Sequence, residues 1–188
     1  MKKLRKIELP EDLLCEIAKI LENLKIPYVI SGGFAVAVWG KPRFTADIDI
    51  AVWLEKSSVR PLWKRLSFLD RNVYVNKESM EEAVIFKKEF NFIHSNTGVK
   101  VDFFILQDNE FDKLKIKRSV LKKIKGQKIS FISPENLVLT KLIWYKKSLS
   151  SKQLEDIKSI LKISKVDKEY LKKWSKKLSL LKFLNEVL

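Results

Sequence analysis

Apolar positions along the first half of the chain switch repeatedly between helical and extended spacing. After Pro10, residues 10–24 carry an apolar residue every three or four positions, which predicts a helix that Pro27 terminates. Short, mostly apolar runs between such helical segments predict strands of a sheet. The elements that follow are predicted as strand 28–30, helix 34–39, strand 48–54, helix 57–69, a weak strand 73–75 and a helical turn at 78–83.

The second half of the chain begins with two longer strand patterns and ends in helices. An outer strand is predicted at 86–94, a buried strand at 99–106, a helix at 111–118, two short strands around 121–124 and 128–132, and helices at 134–147, 152–161 and 167–187. Ser133 and Pro134 are typical of a helix N-cap and first helical position. We therefore predict an α/β (α+β) fold with a core at 1–132 and a C-terminal helical region at 133–188 packed on it.

Two acidic residues open the strand that begins near residue 47. Side chains alternate faces along a strand, so Asp47 and Asp49 point one way while Ile48 and Ile50 point into the core. Carboxylates this close repel each other unless a cation lies between them. Oxygen ligands of this kind are those that Mg²⁺ prefers, so the pair predicts a metal site.

A third carboxylate interrupts the apolar strand 99–106. Asp102 needs water, a cation or a charged partner, because burying an unpaired charge is unfavourable. If this strand lies beside the strand of Asp47 and Asp49, the three carboxylates converge. Such a set suits two metal ions that activate an attacking oxygen and neutralise a leaving phosphate.

A glycine pair precedes these acids at a strand-to-helix turn. Gly32 and Gly33 follow Ser31, and glycine allows backbone N–H groups to approach a phosphate closely. The start of the next helix, predicted at Phe34, adds the positive end of its dipole. Either motif alone is common, but the glycine pair, the D-x-D sequence and the later Asp102 in this order form a demanding pattern.

The run from Ser31 to Ile50 resembles the signature of the polymerase-beta-like nucleotidyltransferase superfamily. It contains the glycine pair, a short helix, a Gly-x-x-Arg-x-Thr stretch at residues 40–45 and the D-x-D sequence. Within the superfamily, the chain is most similar to small AbiEii-toxin-like proteins. The segments 133–141 and 153–157 extend this resemblance, which covers about residues 28–160.

The resemblance implies a mixed sheet flanked by helices and an enzyme that moves an NMP from a Mg²⁺-bound NTP, with Mn²⁺ as an alternative ion, to an acceptor hydroxyl. The acceptor would be tRNA or protein, as in toxin–antitoxin systems. Asp47, Asp49 and Asp102 would be the catalytic and metal-binding residues, with Asp102 as base towards the acceptor. Ser31, Gly32 and Gly33 would bind the nucleotide.

Two basic residues complete the nucleotide site that the resemblance implies. Lys141 would reach the triphosphate from its helix, or lie on a solvated face beside Leu142. Arg43 would contact the nucleotide or anchor its loop, and Thr45 has the same two alternatives. For Asp156 we expect a structural pairing with a lysine or a cap, and Arg118 is a further candidate.

Charge and composition bear on the partners. The net charge is +15, from 38 Lys and Arg against 23 Asp and Glu, which favours a polyanion such as tRNA or other RNA but equally fits a thermophile surface. Lys172, Lys173, Lys176 and Lys177 form a basic helical face that is either solvated or follows an RNA backbone. The single histidine, His94, excludes a His-rich metal site.

The location expected from the sequence is the cytoplasm. The single cysteine, Cys15, excludes an internal disulfide and fits a core position in a reducing compartment. No apolar run is long enough to cross a bilayer, so we expect no membrane contact. Residues 1–6 are basic but lack the apolar stretch of a signal peptide.

Two other functions remain open at this point. One is a non-catalytic, antitoxin-like module that binds nucleotide or a partner; the three intact carboxylates argue against it. The other is a small-molecule transferase of the aminoglycoside-modifying kind, for which the spacing before Asp47 and the charge of +15 fit less well. A cognate antitoxin is an expected partner of the toxin-like enzyme, and the sequence does not indicate the oligomeric state.

Overall fold

The structure, a computed structural model, describes residues 7–188. The interpretation of residues 1–6 therefore lies outside the described residues. In chain order the elements are α1 (Pro10–Asn23), β1 (Tyr28–Ile30), α2 (Gly32–Trp39), β2 (Asp47–Val52), α3 (Lys56–Ser67), β3 (Val73–Val75), α4 (Lys77–Phe86), β4 (Glu89–His94), β5 (Val99–Ile105), α5 (Glu110–Lys117), β6 (Val120–Ile124), β7 (Gln127–Phe131), α6 (Pro134–Ser148), α7 (Ser151–Ile163), α8 (Lys168–Lys177) and α9 (Leu181–Asn185).

The strands form one mixed sheet of seven strands in the order β3-β4-β5-β2-β1-β7-β6. Strand β2 runs parallel to β5 and antiparallel to β1, and β1 runs parallel to β7. This central position explains why the D-x-D strand is so apolar on one face, where Ile48 and Ile50 are fully buried. The predicted mixed sheet flanked by helices is confirmed.

Polar caps and left-handed residues set the helix boundaries. The side chains of Asn76, Asn109 and Ser133 each accept a hydrogen bond from the backbone N–H three residues later, at the start of α4, α5 and α6. Lys87 and Leu149 adopt left-handed backbone angles directly after α4 and α6 and end those helices.

The helices pack in two groups. Helix α3 contacts both α1 and α4, whereas α2 contacts α6 and α7, and α8 packs against α6. Buried apolar side chains from residues 13 to 184 belong to one continuous core. The boundary after residue 132 stays a prediction. No helix within residues 7–188 is long and apolar enough to span a bilayer.

Four predicted elements differ clearly from the observed ones. Helix α2 begins at Gly32 rather than Phe34, so the glycine pair forms its first two residues. The segment predicted as a helical turn at 78–83 is part of a full helix that runs to Phe86. Lys87, with a φ of 52°, ends this helix, so the outer strand begins at residue 89 rather than 86. The last helix breaks into α8 and α9, because Ser179 has a φ of 56°.

Candidate active site

The pairing of β2 with β5 brings the acidic residues together. In this parallel register Asp49 lies opposite Asp102, and Asp47 lies opposite Lys100. All three acids are partly exposed, while Ile48 and Val101 between them are buried. The two strands therefore lie side by side, which is the condition that the sequence analysis set for bringing the three acids together, and the alternation of faces puts Asp49 and Asp102 on one face of the sheet.

Asp49 lies in an environment that disfavours its charge. Burial raises the pKa of this carboxyl above its ordinary value, and the charges of Asp102 and Asp47 raise it further. A hydrogen bond from the backbone N–H of Gly33 and the charge of Lys141 act in the opposite direction but do not offset the increase. The neighbouring groups therefore do not fully offset the unfavourable effect of charging Asp49.

A lysine that the sequence analysis did not single out contacts this group of acids. Lys100 Nζ lies 2.8 Å from Asp102 Oδ2. The hydrogen bond with Asp102 raises the pKa of Lys100 despite partial burial, and the charges of Asp102, Asp47 and Asp49 add to the effect. The signal was available in the sequence, since Lys100 and Asp102 are the polar members of an alternating strand and share one face.

The three acids fit a divalent cation by chemistry but are not arranged around one point. Within residues 7–188, no three His, Cys, Asp or Glu side chains already surround a metal position. Asp47 and Asp49 line the cavity described below, whereas Asp102 does not and is bonded to Lys100 instead. The donors are all carboxylate oxygens, and Asp49 lacks compensating charge, so these residues are suited to holding Mg²⁺.

The glycine pair packs directly against β2. Gly32 has a φ of 55°, and a Cβ atom built on it would lie 1.7 Å from Asp49 Oδ2. A Cβ on Gly33 would lie 2.4 Å from Thr45 Oγ1. The N–H of Ser31 donates to the Asp49 carbonyl at 2.8 Å, which fixes the turn against the strand. Any larger residue would separate the start of α2 from the carboxylates.

A second cluster of charges involves Arg43, Lys141, Gln153 and Asp156. Arg43 Nε and Nη2 donate to the two oxygens of Asp156 at 2.8 Å each. Lys141 Nζ donates to Asp156 Oδ2 at 2.8 Å and to Gln153 Oε1 at 3.0 Å. Lys141 is only 5% exposed, so the alternative of a solvated face is wrong, and the expected pairing of Asp156 with a lysine is confirmed.

Burial and pairing have opposite effects on the pKa values in this cluster. Burial alone would raise the pKa of Asp156, but the hydrogen bonds from Arg43 and Lys141 outweigh it and lower the pKa. For Lys141, burial lowers the pKa and the bond with Asp156 opposes this effect. We regard the carboxylate as ionised, because two cationic donors hold both of its oxygens.

Members of both clusters, namely Asp47 and Asp49 of the first and Arg43, Lys141 and Gln153 of the second, line one cavity of about 550 Å³. We call the part of the lining that contains the predicted site residues the inner part: Ser31, Gly32, Gly33, Arg43, Thr45, Asp47, Asp49 and Lys141. The outer part is lined by Phe104, Leu106, Gln107, Asp112, Lys115, Leu137, Thr140, Ile143, Trp144, Lys147, Lys152 and Gln153, among others. A buried hydroxyl, Thr140 Oγ1, has no hydrogen-bond partner, and Phe104 packs edge-on against Trp144.

Other candidates from the sequence lie away from this cavity. Arg118 stacks over the ring of Tyr170 at 4.0 Å and does not line the cavity. On α8, Lys177 pairs with Glu110 at 3.0 Å. His94 is fully buried, with its ring nitrogens bonded to Asp70 and Thr97, and Cys15 is a core residue as expected.

The fold occurs in known transferases. A scan against protein-family models finds no match to the sequence, and a search of curated proteins finds none either. Among solved structures, the lincosamide antibiotic adenylyltransferase LnuA with bound lincomycin superposes with a TM-score of 0.57 at 18% identity, over 84% of this chain and 99% of that one. The antibiotic-resistance factor ANT(2'')-Ia gives a TM-score of 0.60 at 13% identity, over 94% and 91%.

A third structure points the same way. An antigenic nucleotidyltransferase-like protein from Paracoccidioides brasiliensis has a TM-score of 0.50 at 20% identity, over 81% of this chain and 74% of that one. The chain has the nucleotidyltransferase fold. At these identities the likeness concerns the fold alone, so the AbiEii-toxin-like subgroup stays a prediction.

Several cavity residues were missed by the sequence analysis. Thr140, Trp144 and Lys147 follow one another along α6 at four- and three-residue spacings and line the cavity together with Lys141. Lys115 and Gln107 come from the segment after β5. A step of three residues from Lys141 would have found Trp144, and further steps from Trp144 would have found Thr140 and Lys147. The positions of Lys115 and Gln107 depend on where β5 ends in the sheet.

Proposed function

We propose that this protein transfers an NMP from a Mg²⁺-bound NTP to an acceptor hydroxyl. The observation that carries the proposal is the parallel register of β2 and β5, which sets Asp49 opposite Asp102 beside the glycine pair at the start of α2. Paired carboxylates next to a helix N-terminus suit a cation and a phosphate chain at one place. The fold shared with adenylyltransferases supports the same chemistry.

Asp47, Asp49 and Asp102 are the residues that would hold Mg²⁺, or Mn²⁺ in its place. The bound ion would neutralise phosphate charge and make the acceptor hydroxyl easier to deprotonate. Asp102 accepts the proton of that hydroxyl. The acceptor oxygen then bonds to the α-phosphorus, the bond from this phosphorus to the bridging oxygen breaks, and pyrophosphate leaves.

The remaining inner residues hold the triphosphate. The start of α2 at Ser31, Gly32 and Gly33 lines this part of the cavity, and the positive end of the helix dipole would face the phosphate oxygens. Lys141 and Arg43 carry two positive charges against the single negative charge of Asp156. Their cluster therefore keeps a net positive charge towards the nucleotide, and the paired geometry fixes both side chains in advance.

The lining of the cavity supports a polyanionic acceptor. Arg43, Lys115, Lys141, Lys147 and Lys152 are five cations that face the cavity, against three acids, Asp47, Asp49 and Asp112. Together with the net charge of +15, this lining attracts RNA and repels a cationic aminoglycoside. We propose tRNA as the acceptor and a toxin-like, cytoplasmic enzyme with a cognate antitoxin.

A second candidate is transfer to a small molecule. A cavity of about 550 Å³ has the size of a small-molecule site, and LnuA and ANT(2'')-Ia, which share the fold, modify antibiotics. In this case the acceptor would lie against Phe104 and Trp144 in the outer part of the cavity.

Labelled NTPs with Mg²⁺ and three separate acceptors, tRNA, an aminoglycoside and a lincosamide, distinguish these functions. We expect label on tRNA, and a loss of about 10³-fold or more in Asp49→Ala, because that change removes a cation ligand. Asp108→Ala is the matched control, since the Asp108 side chain is 76% exposed and pairs with Lys113.

Each other outcome has a distinct meaning. Label on a drug rather than on tRNA supports the small-molecule transferase. NTP binding without transfer to any acceptor supports a non-catalytic module. Full turnover in Asp49→Ala contradicts the assignment of the carboxylates.

A further inference from the structure

Lys100 contacts Asp102 directly and lies within reach of the charges of Asp47 and Asp49. Within residues 7–188, its pair with Asp102 at 2.8 Å is the one ion pair that involves Asp47, Asp49 or Asp102. Lys141, the other nearby ammonium, is bonded to Asp156 and Gln153 instead. In the register of β2 and β5, Lys100 lies opposite Asp47, while Asp102 lies opposite Asp49. One ammonium group is therefore set among three negative charges.

The geometry also leaves this ammonium free to move. The Lys100 side chain is 39% exposed, and its flexible stem can carry the charge into solvent without disturbing the strand. Asp102 is less exposed, at 18%, and belongs to the central part of the sheet. When the pair separates, the lysine regains water, whereas the carboxylate needs another cation.

We propose that Lys100 is a built-in counter-cation of the carboxylate triad, which holds Asp102 in the metal-free protein and releases it when a divalent cation binds. This inference rests on the proposed function, which supplies the metal site. Lys100 is a positioning residue: it acts through Asp102.

The arrangement makes metal binding depend on the nucleotide. A divalent cation alone must displace Lys100 from Asp102 and remain near its positive charge, so its affinity is lowered. An NTP brings additional negative charge and phosphate ligands, which compensate for the lysine. The cation therefore enters together with the triphosphate, and the protein does not hold a tightly bound ion between turnovers.

The test measures Mn²⁺ binding to the full chain by electron paramagnetic resonance without NTP, and thermal unfolding in the presence of a chelator. Lys100→Met should bind Mn²⁺ about tenfold more tightly than wild type, because the competing charge is gone. Its melting temperature without metal should fall by about 2–4 °C, because the three carboxylates are then uncompensated. Lys100→Gln provides a second neutral variant if the first fails to fold.

Two controls separate charge from the loss of a side chain. Lys100→Arg keeps the charge and should stay near wild type in both measurements. Lys19→Met removes a lysine of similar exposure, 43%, that pairs with Glu16 at 2.6 Å away from the site, and should change neither measurement.

Unchanged or weaker Mn²⁺ binding in both neutral variants overturns the inference, as does a Lys100→Arg variant that behaves like Lys100→Met. Failure of the proposed function has a different signature. In that case an Asp49→Ala variant of the otherwise wild-type protein binds Mn²⁺ as tightly as wild type does. The proposed metal site is then wrong, and this inference fails with it. Tighter binding in Lys100→Met that Asp49→Ala abolishes supports both.

Discussion

Two clusters of charged side chains contribute to the same cavity and differ in their charge balance. Around Asp156, every oxygen of the carboxylate accepts a hydrogen bond from Arg43 or Lys141. Across β2 and β5, only Asp102 of the three carboxylates forms an ion pair within residues 7–188, and its partner is Lys100. The first cluster is completed by the protein, whereas the second needs a ligand to complete it. One cavity wall therefore has its carboxylate paired by the protein, whereas the proposed function places a cation at the other.

The pKa directions express this difference. The pKa of Asp156 is lowered, because the bonds from two cations outweigh its burial. The pKa of Asp49 is raised, because burial and the neighbouring carboxylates disfavour its charge. Strong perturbation by burial and like charges is typical of functional sites, whereas a well-paired buried carboxylate is typical of a structural anchor. The two acids therefore predict opposite effects on stability when they are removed.

The largest effect on stability is expected from removing the anchor. Asp156→Ala leaves Lys141 buried and unpaired and frees the loop that Arg43 holds. Loss of one partner of a buried pair typically lowers the free energy of unfolding by about 3–5 kcal/mol. Denaturant unfolding measures it, and transfer activity should fall as well, because both basic residues lose their fixed positions.

Glu81→Ala is the matched control for this change. Glu81 pairs with Lys77 at 3.0 Å, but the side chain is 40% exposed, so its removal should cost at most about 1 kcal/mol. Equal losses in the two variants would mean that the Asp156 cluster is no stronger than a surface pair, and the comparison between the two clusters would fail.

A smaller effect is expected at the glycine pair. Gly32→Ala introduces a Cβ that overlaps Asp49 Oδ2 and forces a left-handed angle on alanine. Gly98→Ala has a similar backbone angle, with a φ of 68°, but meets nothing within 4 Å. The angle alone should lower the unfolding free energy by about 1 kcal/mol in both, so any greater loss in Gly32→Ala measures the contact with Asp49.

Activity provides the second measurement for this pair of variants. Gly32→Ala should abolish most transfer, because the start of α2 can no longer approach the carboxylates. Gly98→Ala should retain the wild-type rate. Similar rates in the two would show that the close approach of Gly32 to Asp49 is not needed for function.

Much of the acidic wall, by which we mean Asp47, Asp49 and Asp102, was predictable from the sequence. Alternation of faces put Asp47 and Asp49 on one side of a strand, and their charge in an apolar context required a partner. The glycine pair and its distance from the D-x-D sequence predicted where a phosphate chain would bind next to the carboxylates. Only the neighbourhood of β2 and β5 had to come from the structure, because a sequence does not specify which strands pair.

The basic wall, formed by Arg43 and Lys141 with their partner Asp156, was much less predictable. Arg43 and Asp156 are separated by 113 residues, and nothing local in either segment indicates their contact. Lys141 had two open alternatives, because a helix position beside apolar residues fits both a solvated face and a buried one. The role of Lys100 was missed for a different reason: a lysine on a strand is usually solvated, and its meaning depends on the register with Asp47 and Asp49.

The smallest effect, and the sharpest test of the comparison, is the pH dependence of stability at Asp49. Asp49→Asn removes an unfavourable charge and should raise the free energy of unfolding of the metal-free protein by about 1 kcal/mol at pH 7. The pKa of Asp49 in the folded state is raised above the ordinary value of 3.8, so its charge destabilises wild type. This destabilisation has its full size at pH values above the folded-state pKa. As pH falls through that pKa, the native carboxyl takes up its proton and the penalty shrinks, disappearing below 3.8. The advantage of Asp49→Asn over wild type should therefore decrease on acidification.

For Asp156→Asn the expected change in stability has the opposite sign. The lowered pKa of Asp156 stabilises folded wild type above pH 3.8, and this stabilisation is lost only as pH falls through the pKa of the folded state. Thermal unfolding of the three proteins at a series of pH values, with a chelator and with Asp108→Asn as the exposed control, measures both trends. If the stability difference from wild type changes in the same direction for both variants on acidification, Asp49 and Asp156 are equally well compensated. The idea that the carboxylates of β2 and β5 need a cation would then be wrong.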